Sequence, residues 1–232
     1  MVNFETTQWT LICTATNEDS ANKRQALGKL CEKYWQPLYE YVHFRVRDEA
    51  TAKDAVQAFL TLLIEKECLT AADPERGKFR AFLITAFKHF LQQEWRSHNA
   101  LKRGGGQIIH SMDHFEDGQI DAVYSQTADH EYELAWARSI LANVLSQLQM
   151  EYQSRGQEQQ FKYLKPFLLQ PQSQKIQVLA DQLDLNPPAA RMTVSRMRSR
   201  FGDLLREEIA QTVSSEEQVD EEIRDLFRAF QG

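Results

Sequence analysis

"NPPAARMTVSRMRSRFGDLL", residues 186–205, spells out one helix with its start, its inner side and its outer side. Asn186 is an N-cap by residue type, because its side-chain oxygen can accept from an otherwise unpaired first-turn N–H. Pro187 suits the first helical position, where a missing N–H costs nothing. Ala190, Val194, Met197, Phe201 and Leu204 follow at intervals of four, three, four and three, which makes a stripe for a core. Arg191, Ser195, Arg198 and Ser199 lie away from that stripe, with Met192, Arg196 and Arg200 on its flanks. Just upstream, Ile176, Leu179, Ala180 and Leu183 mark a shorter helix, and Asp184-Leu185 forms the turn. Asp184 stands where a glycine is common, and Asp tolerates the left-handed backbone such a turn needs. The pair reads as a helix-turn-helix whose second helix offers Arg and Ser to a major groove, where Arg can pair with guanine or with phosphate. The competing reading is a solvated basic face on a core helix.

A basic helix in an acidic protein needs an explanation. The 232-residue chain has a formal net charge of -6. From Glu207 onward eight acids face only Arg224 and Arg228, so the acidity belongs to the tail and the rest of the chain is neutral. Within that neutral part, Arg76 to Arg103 holds seven Lys or Arg against Glu94 alone, and Arg191 to Arg206 holds five Arg against Asp203. Clustered positive charge is the electrostatic footprint of a polyanion partner.

The composition, 42% hydrophobic and 26% charged, is that of a soluble globular protein with one large or two small domains. No run is long enough to span a bilayer, and "MVNFETTQWTLIC" lacks a secretory signal, so no membrane insertion and a cytoplasmic location are expected. Cys13, Cys31 and Cys68 are too scattered for a disulfide framework or a zinc site. No metal and no cofactor is expected. The chain also lacks a phosphate-cradling loop, paired carboxylates on one face, or a nucleophile with a base, so it does not read as an enzyme.

Almost every other segment has helical spacing, and the expected fold is all-α. Leu30, Tyr34, Leu38, Tyr41 and Val42 make one stripe, with Pro37 either bending that helix or opening a new turn. Val56, Phe59, Leu60, Leu63 and Ile64 make a second stripe, opposite Lys53, Asp54, Gln57 and Thr61. Phe79, Phe82, Leu83, Ala86, Phe87 and Phe90 make a third, away from which fall Thr85, Lys88, Gln92, Trp95, Arg96 and Asn99. A Trp among basic and amide groups can stack on an exposed base or pack under a loop. Periodicity then fails over residues 102–131, the expected linker. Its His110, Asp113, His114, Glu116 and Asp117 are better explained by polar linker composition than by metal coordination.

These residues together resemble the extracytoplasmic-function sigma factors of bacterial RNA polymerase. The resemblance rests on "FETTQWTLI", "KYWQPLYEYV", "DAVQAFLTLLIEK", "ADPERGKFRAFLITAFKHFL", "LKRGGG", the helix-turn-helix, "LREEIAQTV" and "DEEIRDLF". It implies a polymerase-binding and minus-ten-reading domain over residues 1–101 and a linker over 102–131. It further implies a minus-thirty-five-reading domain over 132–210, followed by an acidic helical extension over 211–232. The implied partners are core RNA polymerase, promoter DNA and a regulator such as an anti-sigma factor. Asp54, Gln57, Phe59 and Leu60 match the family's docking segment for the polymerase clamp, although Ala58 stands where an acid is usual. Phe59 and Leu60 also fit an ordinary core stripe. Arg76, Lys78, Arg80, Lys88, Gln92, Trp95 and Arg96 match the minus-ten reader, which needs cations, amides and a surface for an unstacked base. Arg191, Ser195, Arg196, Arg198 and Ser199 match the minus-thirty-five reader. A stand-alone helix-turn-helix regulator of duplex DNA is the alternative, and it leaves the first domain without a role.

In the tail, Ser214 and Glu217 have capping-box spacing, and Val219, Ile223, Leu226, Phe227 and Phe230 predict an amphipathic helix. It either caps a domain core or sets its carboxylates against the basic helix of the second domain.

Overall fold

The computed structural model describes residues 20–65, 78–103, 122–169 and 174–231. The fold is all-α, with no strand among the described residues. The chain divides into two compact units, Met1–Ser139 with Ile209–Gly232, and Ile140–Glu208.

In the first unit, helix α1 (Ser20–Val46) passes through Pro37 without a break. It ends where Arg47 takes φ 54° and donates its N–H to the His43 carbonyl at 2.9 Å. Asp48 then caps helix α2 (Glu49–Glu65), accepting from the Thr51 N–H at 2.8 Å. That tight reversal lays α2 against α1. Helix α3 (Phe79–Arg103) completes an aromatic core with them: Phe59 lies 4.8 Å from Phe87, and Tyr34 meets Phe79 edge-on at 5.1 Å. Leu38, Val42, Val56, Leu63 and Leu83 fill the space between, each stabilising the unit by about 1.5–3 kcal/mol on full burial.

Helix α4 (Ala122–Ser154) begins well before Tyr132, so residues 122–131, read from the sequence as linker, are its first turns. Tertiary partners explain the difference: Ala128 and Tyr132 are buried, and Asp129 pairs with Lys88 at 2.7 Å. Short polar residues with no strong local preference become helical because the core and a counter-charge are there to meet them. The remainder of the expected linker, residues 104–121, lies outside the described residues, and with it the histidines and acids of that segment.

The acidic tail also belongs to the first unit. Helix α9 (Glu216–Ala229, numbered by its place in the chain) has Ser215 as its N-cap, accepting from the Gln218 N–H, while the Gln218 side chain accepts from the Ser214 N–H at 2.9 Å. The reciprocal cap is therefore shifted by one residue from the expected Ser214 and Glu217. The buried face is shifted too: Val219, Glu222, Leu226 and Ala229 are inside, while Phe227 and Phe230 are 51% and 46% exposed. A carboxylate occupies the middle of the inner face because a guanidinium waits for it. Glu222 Oε2 accepts from Arg80 Nη2 at 2.8 Å. The Thr212 carbonyl, just ahead of α9, accepts from the Phe79 N–H at 3.2 Å and so satisfies a donor that the start of α3 cannot pair internally.

In the second unit, Ile140, Val144 and Leu148 of α4 form a core with α5 (Glu158–Leu164), α6 (Pro166–Leu169), α7 (Ile176–Gln182) and α8 (Pro187–Ala210). Gly156, at φ 68°, ends α4 with the paired bonds Gln157 N–H to Tyr152 O and Gly156 N–H to Gln153 O. Asp184, at φ 53°, ends α7 in the same left-handed way, with the Leu185 N–H donating to the Ala180 carbonyl at 2.9 Å. Ala190, Val194, Met197 and Leu204 of α8 are buried, and Phe201 is half-buried.

The buried Arg80–Glu222 pair makes a test of the first unit's packing. Glu222→Ala removes the most buried counter-charge of the Arg80 guanidinium but leaves the part-exposed Glu133 and Asp225 beside it. It is expected to lower stability measurably in urea unfolding, by less than the about 3–5 kcal/mol that a wholly stranded buried charge costs. The double change Arg80→Met with Glu222→Leu is expected to cost far less, since no charge is then left unpaired inside.

Candidate nucleic-acid interface

Three surfaces carry the residues singled out in the sequence. On α2, Asp54 and Gln57 are exposed and, with Ala58, Thr61 and Leu62, line an open depression of about 470 Å³. Its lining is mixed, with an acid, an amide and a hydroxyl beside the small apolar surfaces of Ala58 and Leu62. Phe59 is 2% exposed and packs on Phe87 and Phe90, so it shapes this face from beneath; Leu60 is half-buried.

On α3, the expected cationic face is already neutralised at its start. Lys78 Nζ lies 3.1 Å from Asp225 and 3.5 Å from Glu221 of α9, with 17% of its side chain exposed. Arg80 is buried, at 8% exposure. Its guanidinium pairs with Glu222, with Asp225 at 3.3 Å and with Glu133 of α4, and stacks 4.2 Å from the Trp136 ring centroid. Arginine suits this place because its flat, weakly hydrated cation can bond carboxylates at the edge and an aromatic ring on the face. Burial pushes the Glu222 carboxyl above its ordinary value, and the Arg80 charge beside it opposes that shift. Farther along, Lys88 is held by Asp129 and lies 5.7 Å from the Tyr41 ring centroid, while Gln92 is exposed. Trp95 and Arg96 are within α3 but their side chains, like all of Arg76, fall outside what is described.

On α8, Asn186 Oδ1 accepts from the Ala189 N–H at 2.8 Å, the cap its residue type predicts. Arg191, Ser195, Arg196 and Ser199 are exposed together with Met192, which is 57% exposed. Two arginines of this helix do other work. Arg198 donates from Nη2 to the Phe167 carbonyl at 3.0 Å, tying α8 to the end of α6. Arg200 bonds Glu151 of α4 at 2.6 Å and Glu207 at 3.2 Å. The hydrogen bond from Arg200, more than its charge, holds the Glu151 carboxyl below the ordinary range. The outer side of α8 thus divides into an exposed set, Arg191, Met192, Ser195 and Arg196, and a part that braces the unit.

Sequence reasoning missed the partners of this chemistry: Glu133, Glu222 and Asp225 around Arg80, and the exposure of Met192. For Glu222 a signal existed, since 219, 222, 226 and 229 keep helical spacing if a charged residue is allowed in the stripe. Elsewhere, burial and then nearby Glu32 push the Cys31 thiol up to about 11, which leaves it unreactive; Cys13 and Cys68 lie outside the described residues. Among the described residues no group of His, Cys, Asp and Glu could hold a metal ion, and no helix is long and apolar enough to cross a membrane.

The family model described as ECF sigma factor matches residues 10–166. No curated protein and no solved structure matches the chain.

The Glu151–Arg200 pair predicts how the second unit responds to acid. Because the folded carboxyl is lowered relative to the unfolded chain, its contribution is complete above the ordinary carboxylate range and is lost as the pH falls through the folded value. Glu151→Gln is expected to lower the unfolding midpoint at neutral pH and to flatten its decline on acidification. An unchanged acid limb in urea melts would show that the bond adds nothing to the fold.

Proposed function

The chain belongs to the ECF sigma factor family, and on that premise we propose that its separate surfaces divide the work of promoter recognition. Members of the family act in promoter-specific transcription initiation with core RNA polymerase and promoter DNA and are not enzymes. In the proposed division, the first unit binds core polymerase and reads the minus-ten element, and the second unit, Ile140–Glu208, reads the minus-thirty-five element from duplex DNA. The site of action that follows is the cytoplasm.

The observation that carries this reading is the composition of α8. One side is packed into a core, the first turn is capped by Asn186 and stiffened by Pro187, and the free side shows Arg191, Ser195 and Arg196. A helix anchored along one side that offers exposed Arg near its start suits direct base readout in a major groove. Met192, beside them, adds an apolar surface suited to a thymine methyl group. On α2, Asp54 and Gln57 are the exposed members of the segment assigned to polymerase docking, and the depression they line favours a protein contact over a purely electrostatic one. The alternative of a stand-alone regulator gives that face no task.

Two tests follow. The purified chain with core polymerase is expected to start transcripts at defined positions on DNA of its source genome. Asp54→Ala with Gln57→Ala is expected to abolish core binding and those starts while the protein stays folded. Stable binding to a duplex operator without any dependence on polymerase would instead favour the stand-alone regulator. On α8, Arg191→Ala is expected to weaken minus-thirty-five binding by about 1–3 kcal/mol and to relax preference at one base pair. Equal weakening on all sequences would make Arg191 a phosphate contact only.

A further inference from the structure

The start of α3 holds two cations, Lys78 and Arg80, and both are engaged by the same element of the chain. Glu221 and Asp225 flank Lys78 at 3.5 and 3.1 Å, and Glu222 and Asp225 bond Arg80 at 2.8 and 3.3 Å. Three carboxylates within little more than one turn of α9 thus meet two neighbouring cations, presenting clustered negative charge as a nucleic-acid strand would. Helix α9 is otherwise poorly suited to permanent burial. Its outer side carries Phe227 and Phe230 in solvent, and its inner side is centred on Glu222, a group that burial disfavours.

We propose that α9 is an intramolecular occupant of the strand-binding surface at the start of α3, and that single-stranded DNA and α9 exclude each other there. The proposal rests on the assignment of that surface to minus-ten reading. In the free chain α9 neutralises Lys78 and Arg80; when the strand's phosphates take Lys78, the Glu221 and Asp225 contacts are given up and α9 loosens. Glu133 and the Trp136 ring remain to hold Arg80, so the guanidinium keeps a counter-charge and a packing surface through the exchange. The sequence allowed the acidic tail to restrain the basic helix of the second domain; its observed carboxylate partners direct the inference to the first unit instead.

The test is a double-mutant cycle on the full-length chain, with anisotropy of a fluorescein-labelled mixed-sequence single-stranded DNA as the readout. Glu221→Gln with Asp225→Asn frees Lys78 while keeping Glu222 in place; Glu221→Gln alone, a change at an exposed side chain, gives a second, milder release. Freeing one lysine for one phosphate is expected to steepen the log–log salt slope by about 0.7 and to tighten binding about five-fold at about 0.1 M salt. In a Lys78→Ala background the same neutralisations are expected to give little gain. A gain of equal size in both backgrounds would mean that α9 acts only through long-range charge, and that result or no gain at all overturns the exclusion. Transcription by the unaltered chain with core polymerase separates the levels. If it initiates and the cycle shows no dependence on Lys78, the exclusion alone falls; if it never initiates, the underlying assignment falls with it.

Discussion

A guanidinium at 8% exposure cannot remain charged without counter-charges, and arginine does not give up its proton. The packing of the first unit follows from that constraint at Arg80. Trp136 and Glu133 must come from α4 and Glu222 from α9, so three stretches of chain far apart in sequence meet at the first turn of α3. The Phe79 N–H bond to Thr212 fixes the same junction through the backbone. A buried ion pair contributes little net stability, because desolvation offsets attraction. What it contributes here is register: α9 can turn only the face that carries Glu222 inward, even though a stripe ending in Phe227 and Phe230 is the more apolar choice.

The second unit solves the opposite problem. Its charged helix is held by apolar packing along one side and by two arginines that reach back into the unit, Arg198 to Phe167 and Arg200 to Glu151. Those two bonds tie the later turns of α8 to the rest of the unit, while Arg191 and Arg196 are exposed. The contrast is functional. Lys78, Arg80 and Lys88 in the first unit are covered by acids of the same chain, whereas Arg191, at the start of α8, faces solvent.

Local rules were readable from the sequence where the determinant is local. The Asn186 cap, the Pro187 start and the left-handed Asp184 all depend on a few neighbouring residues, and each is present. The core stripes of α1, α2, α3 and α8 are there too, except that Ile64, read into the α2 stripe, is 40% exposed and the Leu30 side chain lies outside the described residues. What escaped depends on distant partners. Helix α4 starts at Ala122 because Lys88 and the core meet Asp129 and Tyr132, and no periodicity in the segment announces it. The inner face of α9 is centred on an acid, which hydrophobic patterning excludes by construction of the rule. Arg80 looked like a surface cation because its sequence neighbours are those of one; its burial is a property of two other helices, α4 and α9.

If the acidic helix and the DNA strand are alternative counter-ions for the start of α3, opening a promoter must release α9. Hydrogen exchange along α9 measures it most directly, comparing the free chain with the complete complex of chain, core polymerase and promoter. Slow exchange is expected across 219–229 in the free chain, and markedly faster exchange there once the promoter is opened. Equal protection of that helix in both states would contradict it.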